Sequence, residues 1–294
     1  MAIFRSPASQ AGHVMKSLQG DIIRSVGTVR NYEQSLTRVA EWTRQKRING
    51  GLRAMTPALA VRYLEERGQD VGQKTLDMDR QAMQAMMTHV TGQLPAGERL
   101  PVVKSETPQQ LEARAYTPQQ AALIASSQNG RNGLATEIAH AAGLRAHELL
   151  TLCRADERAP DPRPALDSKF SGRDGEIYTV QGKGGLVREV LIPAPLVARL
   201  EATRRDESER ITDRGVYYAS RYDIGGGQRW SNSFSAASER ALGWSSGAHG
   251  LRHSYAQERM SELQHGGLLR DAALETVSQE MGHFRPEITE SYLR

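Results

Sequence analysis

Apolar residues recur with a helical period through much of the first ninety residues. In TVRNYEQSLTRVAEWTRQKRI (28–48), Val29, Tyr32, Leu36, Val39, Ala40 and Trp42 share one face, with arginine and lysine on the other, which predicts an amphipathic helix. A second helix is predicted over TPALAVRYLEERG (56–68): Thr56 caps it, Pro57 suits its first position and Gly68 ends it. A third runs through TLDMDRQAMQAMMTHV (75–90), whose four methionines read as core fillers rather than cofactor ligands. The period is then lost in TGQLPAGERLPVVKSETPQQ (91–110), where glycine, proline and polar residues cluster. The break predicts two modules, a helical one over 1–105 and another over 113–294, joined by a linker at 106–112.

The second module mixes periods. A Thr-Pro start opens a helix within ARAYTPQQAALIASS (113–127), and a helical stretch over 134–152 is interrupted by Gly143. RADERAPDPRPALDSKFSGRDG (154–175) is a polar, proline-rich excursion. EIYTVQGKGGLVREVLIP (176–193) reads as a β-hairpin around the turn Gly182-Lys183-Gly184-Gly185. Helices are predicted at 195–206, 232–242 and 250–260, and a short one from Pro286. The expected fold class is mainly α, with an α+β second module built around a small antiparallel sheet.

Composition narrows the class. With 38% hydrophobic and 24% charged residues and no apolar run of 18, the chain reads as a soluble globular protein without a membrane span. Its opening, MAIFRSPASQ, lacks the apolar core of a secretory signal, and Cys153 has no partner for an intrachain disulfide. A cytoplasmic location is expected. Charge is uneven: residues 1–110 hold 15 Lys and Arg against 10 Asp and Glu, whereas 111–294 hold 23 against 24. The basic excess suits a polyanion-binding module and equally a solvated surface. The 32 arginines against 6 lysines fit bidentate phosphate recognition, and equally a GC-rich genome.

Four segments carry candidate chemistry: GLRAHELL with Arg145, QGKGG with Lys183, HGLRH with His249 and Arg252, and MGHFRPEITESY with His283 and Tyr292. Singly, each has a plain explanation. Arg145 and Glu148 could be a surface ion pair, Lys183 a solvated hairpin tip and His283 a turn residue. His249 and His253 stand four apart like a metal pair, but the segment lacks the glutamate of the zinc-protease motif and has no close third ligand, so no metal is expected. Tyr217, Tyr218 and Tyr255 read as core or surface packing residues.

In their order and spacing, the four segments resemble the tyrosine recombinase (phage integrase) family. Its motifs are an arginine in G-L-R-x-x-E-L, a lysine on a hairpin turn, H-x-L-R-H, and L-G-H with a tyrosine nine residues after the histidine. The matching positions are Arg145, Lys183, His249, Arg252, His283 and Tyr292. The resemblance covers most of 113–294 by motif, and the helical first module fits the family's core-binding domain. It implies a site-specific recombinase or integrase that cuts and rejoins DNA through a 3′-phosphotyrosine and uses no cofactor. It further implies a double-stranded core site and a tetramer on DNA, with the protein integrating or excising a mobile element at the bacterial nucleoid. Family members commonly continue past the nucleophile into a tail helix that docks on a neighbour. This sequence stops at Arg294, so either it is truncated or its protomers link differently.

The chemistry of the residues agrees. Breaking a DNA strand without a metal requires charge to stabilise a phosphorane, which Arg145 and Arg252 can supply through bidentate hydrogen bonds. His249 and Arg252, three apart on a helix, can address one phosphate, and His283 adds a further hydrogen bond. Tyr292 is the nucleophile, with either histidine open as its base. The leaving 5′ oxygen needs a proton, and Lys183 is the candidate donor because 111–294 holds one other lysine, Lys169, in the polar excursion. Glu148 is expected to order Arg145 or a histidine. The rivals are a type IB topoisomerase or telomere resolvase with the same chemistry, a silent DNA-binding accessory protein, and a histidine-metal hydrolase.

Overall fold

The computed structural model describes residues 5–23, 25–108 and 112–294, which fall into two compact units, 1–110 and 111–294. The first unit contains α1 (Pro7–Leu18), α2 (Val26–Gln45), α3 (Pro57–Gly68) and α4 (Gln73–Met86). Thr56 caps α3 by accepting from the Leu59 amide at 3.3 Å, and Pro57 takes the first turn, as the sequence indicates. Leu18, Leu36, Val39, Met55, Leu64, Met83, Met86 and Met87 are fully buried, each such side chain contributing roughly 1.5–3 kcal/mol. Helix α1 was not anticipated.

The expected break after residue 90 is not a free linker. A π-type turn (Met87–Thr91) ends α4, and Leu94 and Leu100 then return to the core. The Ser105 hydroxyl donates to the Val71 carbonyl at 2.6 Å, and the Glu106 amide donates to the Gly68 carbonyl at 2.9 Å. Two leucines in a polar stretch suffice to strap it to the first unit. Residues 109–111, inside the predicted linker, lie outside the described residues.

The second unit begins with α5 (Pro118–Ser126), where Thr117 and Gln120 form a reciprocal capping box, and α6 (Gly130–Ala142). Strands β1 (Cys153–Arg154), β2 (Glu176–Gln181) and β3 (Val187–Ile192) form an antiparallel sheet in that order, and β2 and β3 make the predicted hairpin. Helix α7 (Ala194–Glu201) stops five residues short of its predicted end, because Arg204 already enters β4 (Arg204–Asp213), paired with β5 (Val216–Tyr222). The sequence missed this second hairpin since β4, RRDESERITD, is nearly all polar. Helices α8 (Gly227–Leu242), α9 (Gly250–His265), α10 (Arg270–Glu280) and α11 (Pro286–Glu290) complete the unit. The fold is mainly α with two small antiparallel sheets, the expected class. Among the described residues no helix is long and apolar enough to cross a membrane.

Two departures shape the site. The helix predicted across Gly143 ends at Ala142, because Gly143 adopts φ 58° and turns the chain; a Cβ there would sit 2.8 Å from the Tyr255 ring. Glu148–Thr151 then forms a 3₁₀ turn, so Arg145 lies in the corner between two helical pieces. The excursion over 154–175 is tied to α10: the Leu166 amide donates to Gln279, Ser168 bonds Thr276, and the Phe170 amide donates to the Glu280 carboxylate. Tyr255 packs as predicted, 3% exposed with its hydroxyl donating to Glu280 at 2.8 Å. Tyr217 packs at the surface, 63% exposed, with the Arg210 guanidinium stacked 3.7 Å from its ring centroid.

Candidate active site

Glu148 organises the corner after α6. Its carboxylate is fully buried and accepts from the Arg145 amide (2.8 Å), the Arg145 guanidinium (2.7 Å) and Arg188 (2.8 Å), with Arg252 at 3.8 Å. Burial opposes its ionisation, but Arg188, Arg252 and Arg145 outweigh burial and hold the carboxyl below the usual range. One buried anion thus keeps three cations together. The predicted ordering of Arg145 by Glu148 is present, and the pair is no ordinary surface pair. Arg145 is 24% exposed, and its remaining side-chain nitrogens bond no described residue.

Arg252 lies in the first turn of α9 and is fully buried. It donates to the carbonyls of Gly143 and, at 3.2 Å, Met281, and to His283 Nε2 at 3.0 Å. Since His283 Nε2 accepts there, its Nδ1 carries the proton and donates to Thr289 Oγ1 at 2.9 Å. Burial and then the Arg252 charge push the His283 pKa down to about 3. Both of its nitrogens are therefore committed.

Tyr292 follows α11 and is 9% exposed. Its ring stacks on His283 (centroids 5.0 Å apart) and lies against His253 (4.8 Å) and the Arg252 guanidinium (5.6 Å). Its hydroxyl meets His249 Nε2 at 3.2 Å. Burial, followed by the charges of Arg252 and His253, lowers the His249 pKa to about 4, so its imidazole is neutral at pH 7 and able to accept a proton. Gln257 holds the backbone from the other side, donating to the carbonyls of Tyr292 (3.2 Å) and Arg294 (2.8 Å).

Five of the six predicted residues, Arg145, His249, Arg252, His283 and Tyr292, therefore share one cluster. The sixth, Lys183, has its side chain outside the described residues. Its turn is described: Gly182 donates to the Leu186 carbonyl at 2.7 Å, and a Cβ on Gly182 would stand 3.4 Å from the Glu148 carboxylate. His249 and His253, the pair weighed for a metal, have ring centroids 5.9 Å apart and both flank Tyr292. Sequence reasoning missed Arg188, Glu280 and Thr289. Arg188 stands on β3 five positions after Lys183, a regularity that alone carries no sign of burial.

No protein-family model and no curated relative matches the sequence. Solved structures do. XerH site-specific recombinase bound to palindromic difH substrate, in its post-cleavage complex, aligns at a TM-score of 0.57 and 14% identity over 98% of this chain and 90% of that one. The Tn1549 transposon integrase in complex with transposon right end DNA aligns at 0.56 and 14% over 99% and 95%. A lambda integrase dimer bound to a COC′ core site aligns at 0.57 and 14% over 96% and 93%. The chain has the tyrosine recombinase fold. At this identity the likeness carries the fold alone, so the roles of individual residues rest on their geometry.

Within this tyrosine recombinase fold, the Glu148 hub yields a stability prediction. Glu148→Ala leaves three guanidinium groups facing one another around a buried hole, and chemical denaturation should show a loss of about 3–5 kcal/mol. A loss below about 1 kcal/mol contradicts the hub.

Proposed function

We propose that this protein is a site-specific DNA recombinase that integrates or excises a mobile element through a 3′-phosphotyrosine intermediate. The observation that carries the reading is the phenol of Tyr292 seated 3.2 Å from a neutral imidazole, His249, beside a buried guanidinium, Arg252, with the reachable guanidinium of Arg145 held on the same carboxylate hub. A nucleophile, a base and two phosphate-binding cations in one cluster suit attack on a phosphodiester. The Tyr292 oxygen attacks phosphorus and its proton passes to His249 Nε2. The bond from phosphorus to the 5′ oxygen breaks, and Lys183 protonates that oxygen. Arg145 and Arg252 hold the two non-bridging oxygens. Arg252 is fully buried beneath Tyr292 and His283, so the phosphate reaches it only when the α11 segment shifts on binding.

The first unit serves as the core-binding domain and the second as the catalytic domain, together gripping the duplex. The basic excess of residues 1–110 supports that division. Recombination proceeds in a tetramer through a Holliday junction, the assembly in which lambda integrase was solved, a structure that this chain matches at a TM-score of 0.56. The protein works at the bacterial nucleoid.

The test is a pool of nicked duplexes carrying a randomised segment, incubated with the protein and then denatured. A covalent complex with a shared target sequence, mapped by mass spectrometry to Tyr292, supports the reading; an adduct on another residue, or none, overturns it. Relaxation of supercoiled DNA of arbitrary sequence would point to a topoisomerase instead. On the selected target, Lys183→Ala should slow cleavage about 10²–10⁴-fold, the usual worth of a general acid. A 5′-bridging sulfur should restore the rate, since a thiolate leaves without a proton. Absence of rescue removes Lys183 from the acid role.

A further inference from the structure

Arg188 is the one buried arginine of the cluster that the proposed chemistry does not use. It lies on β3, 4% exposed, opposite Val180 in the hairpin register. Its guanidinium reaches three acceptors on two chain segments at once. It donates to the Glu148 carboxylate (2.8 Å) and the Gly143 carbonyl (3.3 Å) in the Arg145 corner, and to the Glu280 carbonyl (2.6 Å) at the end of α10. Two residues beyond Glu280, Gly282 adopts φ 70°, and a Cβ there would stand 2.6 Å from Arg188 Cδ, so the backbone that delivers His283 closes directly over the arginine stem. Among the described residues Arg188 Nε is buried without a hydrogen-bond partner, a cost that a side chain chosen for packing alone would not carry.

We infer that Arg188 is a positioning residue for the proposed acid: it clips the hairpin bearing Lys183 to the Arg145 corner and to the end of α10, so that Lys183 is held at the phosphate those elements approach. It touches no substrate, since Glu148, Gly143 and Glu280 enclose its donors. The inference rests on the proposed recombinase reading and deepens it. Guanidinium geometry explains the choice of residue, because a lysine head in the same place is a single point charge that cannot span three acceptors in different directions.

Arg188→Lys keeps the charge beside Glu148 but cannot span the three acceptors. It should remain folded by circular dichroism. Misplacing a catalytic group by about 1 Å costs on the order of 10²-fold. The variant should therefore cleave the selected target about 10²-fold more slowly with a 5′ oxygen, while losing tenfold or less with a 5′-bridging sulfur, which needs no acid. Wild-type protein must form the covalent complex and Lys183→Ala must be rescued by sulfur; failure of either sinks the reading beneath. If both controls succeed, equal slowing of Arg188→Lys on the two substrates, or no slowing at all, overturns the positioning role.

Discussion

Tyr292→Phe is expected to bind the selected DNA with unchanged affinity and to form no covalent complex with it. The substitution removes one oxygen, whose described partner is His249 Nε2. The ring remains, and with it the packing on His283 and His253 and the cover over Arg252. The Gln257 bond to the Tyr292 carbonyl is also kept. Fold and DNA affinity should be preserved because both rest on groups other than the phenol oxygen. The readout is the complex that survives denaturant on a nicked duplex whose cut fragment diffuses away. Any denaturant-stable complex formed by the phenylalanine variant assigns the nucleophile to another residue.

Arg145→Ala should reduce cleavage about 10³-fold or more while changing the dissociation constant little. Among the two candidate phosphate-binding arginines, Arg145 keeps its side chain 24% exposed, whereas Arg252 is fully buried and bonded to Gly143, Met281 and His283. A preorganised guanidinium aimed at the charge that develops on a phosphorane is worth about 10³–10⁵ in comparable phosphoryl transfers. Glu148 is still neutralised by Arg188 and Arg252 in the variant, which limits damage to the fold. Single-turnover cleavage and equilibrium binding, measured on one oligonucleotide, separate the two effects. A variant that cleaves within tenfold of wild type removes Arg145 from the phosphate.

What could be read from sequence was local or motif-borne. Caps at Thr56 and Thr117 act within four residues, and the β2–β3 hairpin announces itself through two β-rich runs around a glycine turn. The failures have a common cause. Leu94 and Leu100 sit in a stretch whose composition reads as linker, β4 carries almost no apolar residue, and the excursion over 154–175 is mostly polar and proline-rich. Each is ordered by partners far away in the chain: the Phe170 amide binds Glu280, 110 positions on, and Ser105 binds Val71, 34 positions back. No period or composition window reaches that far.

The same division runs through the candidate site. By themselves, the residues determined which side chains were available: two arginines, a hairpin lysine, two histidines and a tyrosine nine positions after the second. Tertiary structure decided how they are used. It spends both nitrogens of His283, on Arg252 and Thr289, and leaves His249 as the imidazole at the Tyr292 hydroxyl. It also converts Glu148 from one end of an ion pair into the anion of three arginines, and it brings in Arg188, which no motif marked. The physical reason is burial. A charge in a low-dielectric interior must be matched by partners in definite directions, and those directions exist only once β3, α9, α10 and the Gly143 turn have packed together.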